Sequence, residues 1–221
     1  MTTAMNLETA RFNMIHQQIC PWQVLDADVR TLLAAIKRED FVPPAYRGLA
    51  CADTEIPLGH GAAMLAPKIE ARALQALGVC KHERILEVGA GSGFMAALLA
   101  THADHVWSVE IEPALADFAR ANLQRAGIYN ATVETGDGAL GWPAQAPYDV
   151  IMVSGGVSHV PAELLAQLKV GGRLFAIVGE WPVMTAQLVT RVAEDAFSTR
   201  GLFETLAEPL RNVPAKPQFD F

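Results

Sequence analysis

The chain has 221 residues, 51% of them hydrophobic and 19% charged, with 17 basic against 24 acidic side chains and a formal net charge of −7. That length fits one domain, or one domain with an appendage, and buries enough surface to need no disulfide or metal staple; the composition excludes a disordered or low-complexity scaffold. The acidic balance gives no bulk field for collecting phosphate backbones, so no nucleic-acid partner is expected, and no apolar run approaches the ~18 residues of a membrane span.

Residues 6–20 (NLETARFNMIHQQIC) can form a helix with Phe12, Ile15 and Ile19 on one face and Pro21 to stop it. Glu8, Arg11 and His16 interrupt any apolar run there, which argues against a signal peptide and for a cytoplasmic protein. Cys20, Cys51 and Cys80 are scattered and show neither CxxC nor metal-ligand spacing, so they read as inert thiols and no metal site is expected. Asp26 is the N-cap candidate for a second helix with Val29, Leu32, Leu33 and Ile36 on its apolar face. Residues 40–66, punctuated by Pro43, Pro44, Pro57, Gly59 and Gly61, predict a long irregular segment of the kind that often carries function. Pro67 opens a helix that runs to Leu77 and closes on Gly78.

From residue 84 strands and helices alternate. Strands are predicted at 84–89, 105–111, 148–155 and 173–179, with a weaker strand and turn at 130–138. Helices are predicted at 94–102, 113–127 and 160–172. This alternation makes the fold class α/β, Rossmann-like, with a mostly parallel sheet covered on both faces. Residues 183–207 read as two strands without a helix between them, an antiparallel edge. Residues 208–221 form a Pro-rich tail expected to lie along the surface. The organisation is then a helical and loop addition (1–80), a sheet core (81–207) and the tail, within one domain.

The informative segment is Glu87-Val88-Gly89-Ala90-Gly91-Ser92-Gly93-Phe94, which follows a predicted strand and opens a predicted helix. Gly89 and Gly91 allow a sharp turn and a close approach to a ligand at the carboxyl end of a parallel strand. The spacing is G-x-G-x-G, with Phe94 where the dinucleotide pattern needs its third glycine. Glu110, followed by Ile111, ends the next strand at the right distance to accept from ribose hydroxyls, and Asp137 of Gly136-Asp137-Gly138 could accept from an adenine amine. Together they suit an adenosine without phosphate, so S-adenosylmethionine is the expected cofactor ahead of NAD, FAD or no nucleotide. The expected cofactor residues are Glu87, Gly89, Gly91, Ser92, Gly93, Glu110, Ile111, Asp137 and Gly138, with Met64 and Leu65 lining the pocket. The absence of G-K-[ST] excludes a P-loop. Val153-Ser154-Gly155-Gly156 lacks the Asn/Asp-Pro-Pro-aromatic turn of adenine-N6 methyltransferases.

On these residues, and on REDFVPPAYRGLACADTEIPLGHG (38–61), the GDG turn, APYDVIMVSGG and VPAELLAQLKVGGRLFAIVG, the chain resembles the protein-L-isoaspartate O-methyltransferase family over almost its whole length. The resemblance implies a seven-stranded methyltransferase fold with an N-terminal helical addition. It also implies methyl transfer to the free carboxylate of isoaspartyl residues in damaged proteins, so the implied partner is a protein or peptide bearing isoaspartate. One stretch departs: where the family reads approximately Gln-Thr-Ile-Ser-x-Pro-His, the chain has Ala62-Ala63-Met64-Leu65-Ala66-Pro67-Lys68, so Leu65 stands at the family serine, Ala63 at the threonine and Lys68 at the histidine. Cys51 stands where the family has Tyr, and Ala207-Glu208-Pro209-Leu210 where it has Phe-Val-Pro-Leu.

A carboxylate acceptor is already ionised at neutral pH, so the reaction needs alignment and hydrogen-bond donors rather than a general base. Leu65 supplies no side-chain donor. His60, Asp53 and Ser154 are the candidates to compensate, with Ser158 and His159 also close to the expected cofactor edge. The altered stretch leaves two alternatives open: a methyltransferase of the same fold acting on another acceptor, and a non-catalytic S-adenosylmethionine-binding protein. Nothing in the sequence specifies an oligomeric state.

Overall fold

The computed structural model describes residues 6–214. Asn6 accepts from the backbone N–H groups of Glu8 and Thr9 and so opens α1 (Leu7–Asn13). The single helix expected over residues 6–20 is instead α1, a π-helical turn (Met14–Ile19) and a 3-10 turn (Cys20–Trp22) in unbroken succession. The wider π turn rotates the buried face: Met14, Ile15 and Ile19 are buried and Phe12 is 61% exposed. Pro21 does not stop the segment; it occupies the first turn of the 3-10 piece, where no N–H is needed. Asp26 caps α2 (Ala27–Ala35) through bonds from the Asp28 and Val29 amides, and Val29, Leu32 and Leu33 are buried.

Residues 40–66 are more regular than their prolines and glycines imply. They hold 3-10 turns and an antiparallel hairpin of β1 (Ile56–Gly59) and β2 (Ala62–Met64). The left-handed run Gly59-His60-Gly61 makes the hairpin turn, with φ values of 82°, 53° and 73°. α3 (Pro67–Leu77) starts at its proline and ends on Gly78 in the left-handed conformation, as the sequence predicts.

The sheet is formed by β3 (Arg84–Val88), β4 (His105–Glu110), β5 (Ala131–Thr135), β6 (Tyr148–Val157), β7 (Leu168–Glu180), β8 (Val183–Ala193) and β9 (Ala196–Thr205). Its order is β5-β4-β3-β6-β7-β8-β9. The pairs from β5 across to β7 are parallel, and β7–β8 and β8–β9 are antiparallel, so the expected edge is present. α4 (Phe94–Ala100) and α5 (Pro113–Arg125) connect the first three sheet strands. The helix expected over 160–172 shrinks to α6 (Ala162–Ala166), because Leu168 already pairs with Tyr148 at the start of β7.

Strand alternation divides the core between the two faces. Ile85, Val106, Val150 and Phe175 pack with the first five helices. Leu86, Val88, Val109, Ile151 and Val153 face the other side with Leu164 of α6.

The tail does not simply follow the surface. Leu210 N donates to Gly156 O, and Gly156 N donates to Glu208 O, which seats residues 208–210 beside the end of β6. Its last part, residues 215–221, lies outside the described residues. Among the described residues no helix is long and apolar enough to cross a membrane, and no group of three or more His, Cys, Asp or Glu could hold a metal ion.

Candidate active site

The carboxyl end of β3 turns at Gly89 (φ 92°) and Gly91 (φ 52°), conformations open to glycine at little cost. The amides of Gly89 and Ala90 donate to Val109 O at 2.9 and 3.3 Å, and Gly91 N donates to Glu110 Oε2 at 2.8 Å. Glu112 N donates to Glu110 Oε1 at 3.0 Å. Glu110 is therefore buried and pinned at the tip of β4, with its remaining lone pairs facing a cleft.

That cleft is lined by Gly89, Gly91, Glu110, Ile111, Asp137 and Gly138, among others. The sequence-predicted turn, the Glu110 carboxylate and the Asp137 carboxylate thus converge on one space. The two carboxylates and the apolar walls of Ile111 and Leu115 suit a nucleoside, which offers hydroxyl and amine donors and a flat ring. The cavity measures about 90 Å³, below the ~300–1,000 Å³ usual for small-molecule sites. Leu210 of the tail takes up part of the space: its Cδ2 sits 3.1 Å from the place a Cβ on Gly89 would occupy and 2.7 Å from that on Gly155.

A smaller cavity of about 30 Å³ lies on the other side of the glycine turn, lined by Met64, Leu65, Glu70, Glu87, Ser92 and Ser154, among others. Ser154 lines both spaces. Its Oγ is 2.9 Å from Glu87 Oε1, while Ser108 Oγ, carried opposite Glu87 by the β3–β4 register, is 2.5 Å from Oε2. Burial pushes the Glu87 carboxyl up to about 8; the two serine bonds oppose this, and the Glu110 and Glu70 charges add to it. Glu70 is likewise pushed up by burial to about 7, against the pull of Arg38.

The other predicted residues are dispersed. Ser92 Oγ accepts from Phe94 N at 3.3 Å and reaches only the smaller cavity, as do Met64 and Leu65. Gly93 caps α4 against Ala119, away from both spaces. Asp53 pairs with Lys68 at 2.7 Å, and that ammonium lies 4.3 Å from the Trp22 ring centre, outside both cavities. His60 is exposed, with Nδ1 3.5 Å from Glu112 Oε2. Ser158 and His159 contact each other at 3.1 Å.

Sequence reasoning missed Ser108, the Arg38–Glu70 pair and the whole contribution of the tail. Arg211 donates to Glu112 Oε2 at 3.4 Å and to the His60 carbonyl, and Asn212 donates to Asp137 Oδ2 at 2.8 Å. A signal for the tail was present: Gly155-Gly156 at the end of a predicted strand (148–155) marks a close backbone approach. A Cβ on Gly156 would stand 2.9 Å from Ala207 O.

The model of the family described as protein-L-isoaspartate(D-aspartate) O-methyltransferase (PCMT) matches residues 10–212. The chain is 44% identical over 200 residues to a protein-L-isoaspartate O-methyltransferase of Anaeromyxobacter dehalogenans (strain 2CP-C), covering 90% of this chain and 91% of the relative. It is 44% identical over 176 residues to protein-L-isoaspartate O-methyltransferase 1 of Rhodopseudomonas palustris (strain HaA2), covering 80% and 72%. Among solved structures, a protein-L-isoaspartate O-methyltransferase from Plasmodium falciparum in complex with S-adenosyl-L-homocysteine superposes with a TM-score of 0.79 at 20% identity, over 94% of this chain and 99% of that one.

Proposed function

The chain belongs to the protein-L-isoaspartate(D-aspartate) O-methyltransferase family, and from that premise we propose that it transfers a methyl group from S-adenosylmethionine to the free carboxylate of an isoaspartyl residue in a protein or peptide. The convergence of the glycine turn, Glu110 and Asp137 on one cleft is the observation that carries this reading. S-adenosylmethionine, when bound, supplies an electrophilic methyl group on a sulfonium sulfur.

Glu110 and Ile111 hold the ribose side of the cofactor, Asp137 and Gly138 the adenine side, and Gly89 and Gly91 let the backbone approach its amino-acid end. The acceptor carboxylate arrives ionised and needs a donor that fixes its orientation once water is stripped away. Ser154 is the residue we assign to that role in place of the family serine, since Leu65 has no side-chain donor and Asp53 and His60 are engaged elsewhere. Ser154 Oγ donates to Glu87 Oε1 at 2.9 Å; burial pushes that carboxyl up to about 8, and when it carries a proton the bond can reverse, with Oε1 donating to Ser154 Oγ. That frees the Ser154 hydroxyl proton for the acceptor.

In the product the next residue's backbone amide nitrogen attacks the ester carbonyl and expels methanol to close a succinimide, and addition of water to that ring can return normal aspartate, so the biological role we propose is protein repair. A reducing, cytoplasmic setting is supported by the free thiols of Cys20, Cys51 and Cys80. Incubation with methyl-labelled cofactor and an isoaspartyl peptide tests the reading. Base-labile label is expected on that peptide and none on its aspartyl counterpart; equal or absent labelling of the two overturns it.

A further inference from the structure

A separate cavity of about 460 Å³ opens across the tail from the glycine turn. Glu208, Pro209 and Leu210 line both this cavity and the cofactor cleft, so the two are neighbours divided by one segment of chain. Its floor is apolar, with Val157 and the buried Met184. Among the described residues its titratable lining is acidic: Glu55, Glu180 and Glu208. Among the described residues no Lys, Arg or His forms an ion pair with any of them. Burial raises Glu55 from its ordinary value, and the Glu208 charge raises it further, as expected of like charges sharing a space.

The rim carries an aromatic group that the fold leaves uncovered. Trp181, in the turn between β7 and β8, is 80% exposed, and the nearby Val183 is 68% exposed. An indole face beside carboxylates attracts a cation through the negative face of its ring quadrupole. An extended peptide whose acceptor residue reaches the cofactor cleft has its neighbouring residues at the tail, within reach of this cavity.

We propose that this cavity receives a Lys or Arg side chain of the substrate, flanking the residue to be methylated, with Trp181 against its stem and Glu55, Glu180 and Glu208 as counter-charges. The inference rests on the peptide-methylation reading above and adds a substrate class to it. Charge complementarity and continuity with the cofactor cleft select this occupant.

The test uses three isoaspartyl peptides that differ only at the residues flanking the isoaspartate, which are Lys, Gln or Glu. Adenosylhomocysteine formation is followed in the full-length protein at low salt. The wild type is expected to show about tenfold higher kcat/KM on the Lys peptide than on the Gln peptide, through KM, and a lower value again on the Glu peptide. In Glu180→Gln with Trp181→Ala, both exposed positions, that ratio is expected to fall towards one, through a rise in KM on the Lys peptide larger than any on the Gln peptide. Equal wild-type rates on all three peptides, or a Lys preference that survives the double substitution, overturn the inference and leave isoaspartyl methylation standing. Methylation of none of the three overturns both. A shift in sedimentation in the double variant without a change in peptide selection makes the cavity an interface between copies of the chain and also overturns the inference.

Discussion

The side-chain amide of Asn212 donates to Asp137 Oδ2 over 2.8 Å, so the C-terminal segment is fastened to the carboxylate assigned to the adenine. Leu210 packs over Gly89 and Gly155 in the same cleft, and the space left measures about 90 Å³. A nucleoside needs more room than this, so the strap is expected to lift as the cofactor enters. Leu210→Ala removes much of the apolar contact that seats it, about 1.5 kcal/mol for a side chain of this size partly buried. The lifted state is then roughly tenfold more populated. The association rate of adenosylhomocysteine, followed by stopped-flow tryptophan fluorescence, is expected to rise by up to that factor. An unchanged rate would mean that the strap does not gate the cleft.

The strap also marks where sequence reading stops. Its prolines are compatible with a solvated tail, and only the paired glycines at 155 and 156 hint at something lying against β6. The turn, Glu110 and Asp137 are legible because each stands at or just past a strand end, and parallel topology alone brings strand ends together. Phe12 escapes a periodicity argument because that argument assumes an unbroken α-helix, and the π turn at Met14–Ile19 re-aims the residues around it. The hairpin at Ile56–Met64 is hidden for another reason: its strands are short, and Pro57 weakens the strand pattern. Ser108 can be recognised only from the register that sets it against Glu87, a long-range pairing.

Glu110 does two things at once. It accepts from the amides of Gly91 and Glu112 and presents its remaining lone pairs to the cleft. Glu110→Ala leaves both amides without that partner and removes the ribose acceptor. With hydrogen bonds to a charged group worth about 1.5–3 kcal/mol each, adenosylhomocysteine affinity by calorimetry is expected to fall on the order of 100-fold. Glu110→Gln, which keeps one acceptor oxygen, is expected to fall between the two. A loss smaller than threefold in the alanine variant would remove Glu110 from the cofactor site.

Glu87 links activity and stability to pH. Its carboxyl is pushed from 4.5 up to about 8 on folding, so the folded chain binds more protons than the unfolded chain across that interval. The associated stability is fully present below about pH 4.5 and is lost as pH rises through about 8. Glu87→Gln, neutral at every pH, is expected to be the more stable protein at pH 8.5 by a few degrees in Tm, on the order of 2 kcal/mol. Its Tm at pH 5 is expected to stay close to wild type.

The same ionisation bears on methyl transfer. Above pH about 8 an ionised Glu87 only accepts, and the Ser154 proton is drawn to it. Wild-type kcat, measured as adenosylhomocysteine formed so that ester hydrolysis does not interfere, is expected to fall on that alkaline limb. Ser154→Ala is expected to lower kcat by about 10–100-fold and to abolish the limb, with adenosylhomocysteine affinity within twofold of wild type. A Ser154→Ala enzyme that keeps the wild-type profile would return the donor role to another group.

Arg38 is the buried cation that fixes the wall opposite Ser154. It is 1% exposed, and its Nε donates to Glu70 Oε2 at 3.1 Å. Its remaining nitrogens donate to Ala50 O at 2.9 Å and to Leu65 O at 2.6 Å, and the guanidinium lies 5.6 Å from the Phe94 ring centre. One side chain therefore ties the 3-10 region, the altered 62–68 stretch and α3 together. Arg38→Met orphans a buried carboxyl and two carbonyls, and a loss of about 3–5 kcal/mol is expected, or roughly 10 °C in Tm. Because Glu70 sits near 7 rather than at 4.5, it can take up a proton and soften the damage at low pH. The Arg38→Met deficit is thus expected to be smaller at pH 5.5 than at pH 8. Adding Glu70→Leu removes the stranded carboxyl and is expected to recover at least ~1.5 kcal/mol of the loss at pH 8 in a double-mutant cycle. If the two substitutions prove additive instead, Arg38 stabilises the fold through the Ala50 and Leu65 carbonyls and not through its pairing with Glu70.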